Sequence, residues 1–123
     1  MHLEPVMRDH VVIAVATSDD GPIIRDAQSA LDLLMAARYE LDADRIAIPK
    51  ELVADGFFVL SSGMAGDILQ RYVNYQMKIA FYGDFSGYTS KPLHDFIYES
   101  NKGRDAFFVS DLDEALSKLA AAR

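Results

Sequence analysis

Ser61-Ser62-Gly63 and the stretch Asp84 to Lys91 hold the residue types best suited to chemistry in this chain. A serine just before a helix offers its hydroxyl to the free N–H groups of the first turn. A phosphate placed there would also meet the positive end of the helix dipole, and its added charge would change which partners can approach. The simplest account of Ser61 and Ser62 is therefore a helix cap, and the functional account is a partner-docking or modifiable loop.

The second stretch is denser in polar groups than capping alone requires. Asp84, Ser86, Tyr88, Ser90 and Lys91 follow an apolar strand and lead into a helix, with Thr89 among them. Hydroxyls, an ammonium group and backbone N–H groups together suit a small anion. Gly83 and Gly87 permit a close backbone approach. The competing account is a turn whose serine and aspartate bond their own backbone, with Tyr88 packed over the end of the sheet.

Asp95 and Glu99 lie four residues apart on the following helix, so both carboxylates share one face. That spacing would serve an acid/base pair or a cation. Lys91, four residues before Asp95, makes a salt bridge the simpler reading. His2 and His10 have no ligand spacing, and Asp111, Asp113 and Glu114 read as helix capping. No phosphate loop, nucleophile elbow, His-Glu-x-x-His or dinucleotide glycine set is present. The sequence therefore points away from an enzyme and implies no metal or cofactor.

The elements that must position these residues follow from apolar periodicity. His10 to Ala16 is a β-branched strand, and Leu3 to Met7 pairs with it as a hairpin across Arg8-Asp9, with Pro5 suited to an edge. Asp26 caps a helix running to Leu41. Leu33, Met35 and Tyr39 widen its apolar face, which makes self-association through this helix an expectation. Arg45 to Ile48 is a short strand stopped by Pro49, and Lys50 to Gly56 is a connection. Phe57 to Leu60 is a second apolar run leading to the Ser61–Gly63 helix start. In that helix Ala65, Ile68, Leu69, Tyr72 and Val73 are expected to face inward. Lys78 to Tyr82 and Ala106 to Val109 complete the strands. A helix begins at Pro92, with Leu93, Phe96 and Ile97 as its buried stripe and a stop at Asn101-Lys102-Gly103, and a last one opens at Asp111. Strands alternating with helices call for right-handed crossovers and a mainly parallel sheet.

The run Gly83-Asp84-Phe85-Ser86-Gly87-Tyr88-Thr89-Ser90-Lys91-Pro92-Leu93-His94-Asp95-Phe96-Ile97-Tyr98-Glu99-Ser100-Asn101-Lys102-Gly103 closely resembles the signature of a small bacterial family, domain-of-unknown-function family forty-one-eighty. Ala65 to Gln70 and Val73-Asn74-Tyr75 resemble it too, and the likeness covers nearly the whole chain without implying an activity. The element order, together with Phe57-Phe58-Val59-Leu60-Ser61-Ser62-Gly63-Met64, is similar to the STAS domain of anti-sigma-factor antagonists. The Ile68-Leu69…Arg71-Tyr72 that follows resembles a STAS second helix. That resemblance implies an α/β, STAS-like fold: a mostly parallel sheet of four to five strands, an N-terminal hairpin and about four helices. It also implies that Ser61 is a phosphorylation site that switches partner binding. Leu60 stands where STAS domains carry an aspartate, and the loop ahead of Phe57 is longer.

Composition bounds the rest. The chain has 123 residues, half of them apolar, which fits a single domain spanning 1–123. It has no cysteine, so disulfides, thiolate metal sites and cysteine nucleophiles are excluded. The net charge of −7, from 19 acidic and 12 basic residues, has the wrong sign for nucleic-acid binding. No signal-peptide pattern or membrane-length apolar run is present, so a cytoplasmic location is expected. The leading expectation is a non-catalytic regulatory module that binds an as yet unidentified protein through Ser61–Gly63. The alternative is a small-ligand or anion-binding protein using Asp84 to Lys91.

Overall fold

The computed structural model describes residues 1–123. Five strands form one sheet: β1 (His2–Arg8), β2 (Val11–Thr17), β3 (Arg45–Pro49), β4 (Lys78–Tyr82) and β5 (Ala106–Val109). Four helices accompany them: α1 (Ala27–Leu41), α2 (Met64–Asn74), α3 (Lys91–Lys102) and α4 (Leu112–Ala121). The strands lie side by side in chain order. No helix is long and apolar enough to cross a membrane.

The sheet is mixed, which corrects the expectation of a mostly parallel one. β2 to β5 are parallel, but the longest ladder pairs β1 with β2 antiparallel over seven residues. The hairpin turns at Asp9 and His10, both left-handed, as a tight two-residue connection between right-twisted strands requires. Pro5 sits on the outer strand, where its missing N–H breaks no ladder within the sheet.

Alternation along each strand creates two cores. On one face Ala14, Ala16, Ile46, Ile48, Ile79, Phe81 and Phe108 meet Leu33 and Leu34 of α1, Ile68 and Tyr72 of α2, and Leu93 of α3. On the other face Ile13, Val15, Ala47, Ala80, Phe107 and Val109 meet only α4, through Ala115, Leu116 and Leu119. The three crossover helices thus share one side and the last helix covers the other. Capping fixes their starts. Asp26 and Ser29 form a reciprocal capping box on α1, Ser90 caps α3, and Asp111 accepts a bond from the Glu114 N–H on α4.

Two expectations about helix faces change. The surplus apolar face of α1 is absorbed into the core, since Leu33 and Leu34 are fully buried and Met35 is partly so. Tyr39 alone remains outside, 82% exposed. On α2, Val73 points outward instead of inward and is 43% exposed.

Tyr72 joins α2 to α1 by donating its hydroxyl to the Ala30 carbonyl at 2.6 Å inside the core. Burial pushes its phenol well above the ordinary tyrosine value. Above about pH 10 the unfolded chain releases this proton and the folded chain does not, so stability falls as pH rises through that range. Tyr72→Phe should cost about 1–2 kcal/mol at neutral pH, because the buried hydrogen bond between α2 and α1 is lost. Denaturant titrations at several pH values should also show a shallower alkaline loss in the variant than in the wild type.

Candidate functional site

Parallel strands β2 to β5 all deliver their carboxyl ends to one rim, where the loops 18–26, 50–63, 83–90 and 110–111 gather. The first two loops are stitched together. Ile24 bridges Val53, the Ile23 and Ile24 N–H groups both donate to the Leu52 carbonyl, and the Ala54 N–H donates to Ile24. Buried Ile23 and Ile24 anchor the seam.

After β3 the chain makes three 3-10 turns, Lys50–Leu52, Asp55–Phe58 and Leu60–Ser62, before entering α2. The apolar run Phe57 to Leu60 therefore lies in these turns and forms no strand. Phe57 and Phe58 both enter the same core. Phe57 packs on Phe81 with centroids 5.0 Å apart, and Phe58 stacks on Tyr88 at 5.1 Å. These two anchors fix the segment that follows, in which Val59 is 54% exposed and Ser61, Ser62 and Gly63 all face solvent.

The two serines have different jobs. Ser62 Oγ donates to the Gly56 carbonyl at 2.8 Å and accepts from the Met64 N–H at 3.2 Å, so it ties the helix start to the preceding turn. Gly63, at φ +79°, takes the left-handed step into α2, a conformation that suits glycine. Ser61 makes no side-chain hydrogen bond and caps nothing. Its hydroxyl is available at the surface.

The Asp84–Lys91 residues share a loop but turn to separate partners. Asp84 Oδ1 accepts the Ser86 N–H at 2.9 Å. The Ser86 side chain first, then its N–H, and to a smaller extent Lys50 hold the Asp84 carboxyl below the usual carboxylate range. Tyr88 lies on Phe58, and burial, then Asp55 and Glu51, raise its phenol. Ser90 Oγ accepts the Leu93 N–H, and Lys91 pairs with Asp95 at 2.7 Å out in solvent. Of the five, Asp84 lines an open hollow of about 420 Å³ together with Phe85, Ile97, Phe108, Ser110 and Glu114. Tyr88 and Lys91 do not line it. Ligand crevices in parallel sheets form where strand order reverses, and this order never does.

The acidic pair on α3 is likewise divided, Asp95 to Lys91 and Glu99 to Lys102. The residue that organises this rim is Lys50, which the sequence places in a plain connection. Its ammonium donates to the Asp84 carbonyl and lies 5.1 Å from the Tyr88 ring centre and 5.8 Å from that of Phe85. Gly83 makes the approach possible, since a Cβ there would come within 3.0 Å of Lys50 Cβ. Beside it Tyr82 is raised by burial and by Glu51. The available signal was the position of Lys50, one residue past the end of a buried strand.

A sequence-family profile described as Domain of unknown function (DUF4180) matches residues 8–119. No curated protein and no solved structure matches the chain.

If Lys50 clamps the rim, Lys50→Met should destabilise by about 1–3 kcal/mol through the lost charged hydrogen bond and ring contacts. Lys91→Met should change stability by less than about 0.5 kcal/mol, because its ion pair is exposed. Urea titration of both variants checks the contrast. Equal effects would remove the clamp.

Proposed function

The chain belongs to the DUF4180 family, whose description assigns no activity, and we propose that it acts as a STAS-like, non-catalytic interaction module that presents the start of α2 to a protein partner. One observation carries the reading. Val59, more than half exposed, stands two residues from Ser61, whose hydroxyl has no partner within the chain. Buried Phe57 and Phe58 on one side and α2 on the other hold both residues in place. A surface ordered before binding loses little conformational entropy when a partner arrives.

Support for the STAS-like assignment comes from the element order, the strands set in sequence, and three crossover helices on one face. Two departures weigh on the phosphoswitch part of it. Leu60 replaces the aspartate, and two turns separate β3 from a third that itself carries the serines. A phosphate on Ser61 would still add roughly −1.5 to −2 charges beside the exposed valine, enough to change which partner docks. The anion-binding alternative at Asp84, Ser86, Tyr88, Ser90 and Lys91 draws less support. Its charged and hydroxyl groups are largely occupied by one another and by α3.

Quantitative co-purification from the native cell tests the proposal. Val59→Asp and Ser61→Asp should each change recovery of the same partner by at least tenfold, while Ser86→Asp leaves it unaltered. Both surface residues are exposed, so circular dichroism and melting should match the wild type. Unchanged recovery with both variants would sink the docking role of this segment.

A further inference from the structure

The cations of this chain are unevenly committed. There are 12 lysines and arginines against 19 acidic residues, so carboxylates are in surplus and a cation has many to choose from. Nine of the 12 pair with a carboxylate, donate to a main-chain carbonyl, or do both. The other three are Arg104, Lys118 and Arg123, whose side chains have no partner. All three are exposed, and all three line one open hollow of about 390 Å³ at the amino end of the sheet. Phe107, Ala121 and Ala122 form its apolar wall, and no carboxylate side chain lines it. The unpaired cations are thus gathered in one place, in a chain of net charge −7.

Lys78 positions two of them. Its side chain, only 15% exposed, donates to the Arg104 carbonyl at 2.8 Å and to the Arg123 carbonyl at 3.1 Å, tying residues 104 and 123 together. The Ala122 carbonyl accepts from Arg45 at 3.0 Å, and the Ala122 N–H donates to the Lys118 carbonyl. The backbone beneath all three cations is therefore fixed, while their charged ends stay free. A helix dipole explains part of this, since Lys118 lies in the last turn of α4 and complements its negative end. Arg104 and Arg123 belong to no helix, so that account stops at one residue. Asp105, next to Arg104 in sequence, is drawn to Lys78 at 3.7 Å. Like charges brought together without a carboxylate between them repel, and an anion from outside would relieve that.

Three cations call for an anion of more than one charge. A phosphoryl group carries roughly −1.5 to −2 charges near neutral pH and offers three acceptor oxygens. Each guanidinium can take two oxygens through its planar fork, and the ammonium acts as a point charge. The apolar wall leaves room for the body of a small molecule behind that group. We infer that this hollow binds a phosphorylated small molecule, with Arg104, Lys118 and Arg123 receiving the phosphoryl oxygens and Lys78 as the positioning residue beneath them. The site lies at the opposite end of the sheet from Val59 and Ser61, so either reading can fail alone.

Titration calorimetry of the full chain with inorganic pyrophosphate, at low salt, tests it. The wild type should bind saturably, with a dissociation constant of about 1 mM or tighter. Arg104→Gln and Lys118→Gln should each weaken binding about tenfold, the loss of one charged hydrogen bond. Arg71→Gln removes the same charge from a side chain that Asp67 already holds, and should leave the affinity unaltered. All three side chains are exposed, so circular dichroism and melting of the variants should match the wild type. Absence of saturable binding by the wild type would overturn the inference. So would affinity untouched by Arg104→Gln and Lys118→Gln, or an equal loss with Arg71→Gln, which would mean general charge attraction and no site.

Discussion

The handedness of the β-α-β crossover governs this molecule. Right-twisted strands return to a parallel neighbour almost always by a right-handed connection. When the strands are laid down in sequence order, each such connection drops its helix on the same face. α1, α2 and α3 therefore have no choice of side, and the opposite face of a sheet buried on both sides must be covered by something else. α4 follows the last strand, is bound by no crossover, and is the only helix on that face. Its far end is held by two cations that are partners in the β3–β4 register: Arg45 donates to the Ala122 carbonyl and Lys78 to that of Arg123. Two like charges side by side are tolerable because backbone carbonyls and the carboxylates of Asp44 and Asp105 receive them.

The same order leaves β1 and β5 as edges, and the two are managed differently. β1 carries proline and charged side chains, which discourage a further strand. On β5, Asn101 of α3 turns its side-chain amide into a substitute strand. It donates to the Phe108 carbonyl at 3.0 Å and accepts the Phe108 N–H at 2.7 Å. A residue that reads as a helix terminator is thus also an edge guard. Its identity matters because only an amide offers a donor and an acceptor at this spacing.

The strands and helices were legible because β-branched runs, capping aspartates and turn residues all agreed, from Val11–Thr17 to the Asp111 cap. What was not legible depended on which face a residue had to reach. Phe57 and Phe58 look like strand residues, yet a strand sends neighbours to opposite faces. Here both rings belong to one core, and a tight 3-10 turn is the way to deliver them. Val73 follows the apolar period of α2, but α3 does not close over it, and periodicity has no knowledge of how far apart two helices stand. Lys50 was hidden because its role depends on Gly83, Phe85 and Tyr88, which are remote in sequence. The candidate loops themselves were found. How their polar groups divide between structure and surface was not, since that is decided by hydrogen-bond partners.

That division is the strongest guide to where a partner or ligand would act. Polar density in a sequence measures how many donors and acceptors a loop contains, not how many remain after folding. In the Asp84–Lys91 loop the carboxylate takes the Ser86 N–H, Ser90 caps α3, and Lys91 is drawn to Asp95, so the richest segment has little left to offer. The Val59–Gly63 segment is poorer in polar atoms, but Ser62 alone meets its internal needs by bonding both Gly56 and Met64. Ser61 and Val59 are thereby released from any structural duty while remaining fixed in position. A residue that a fold holds still yet does not use is better placed to meet an outside molecule than one already engaged. On this measure the spare serine outweighs the crowded loop.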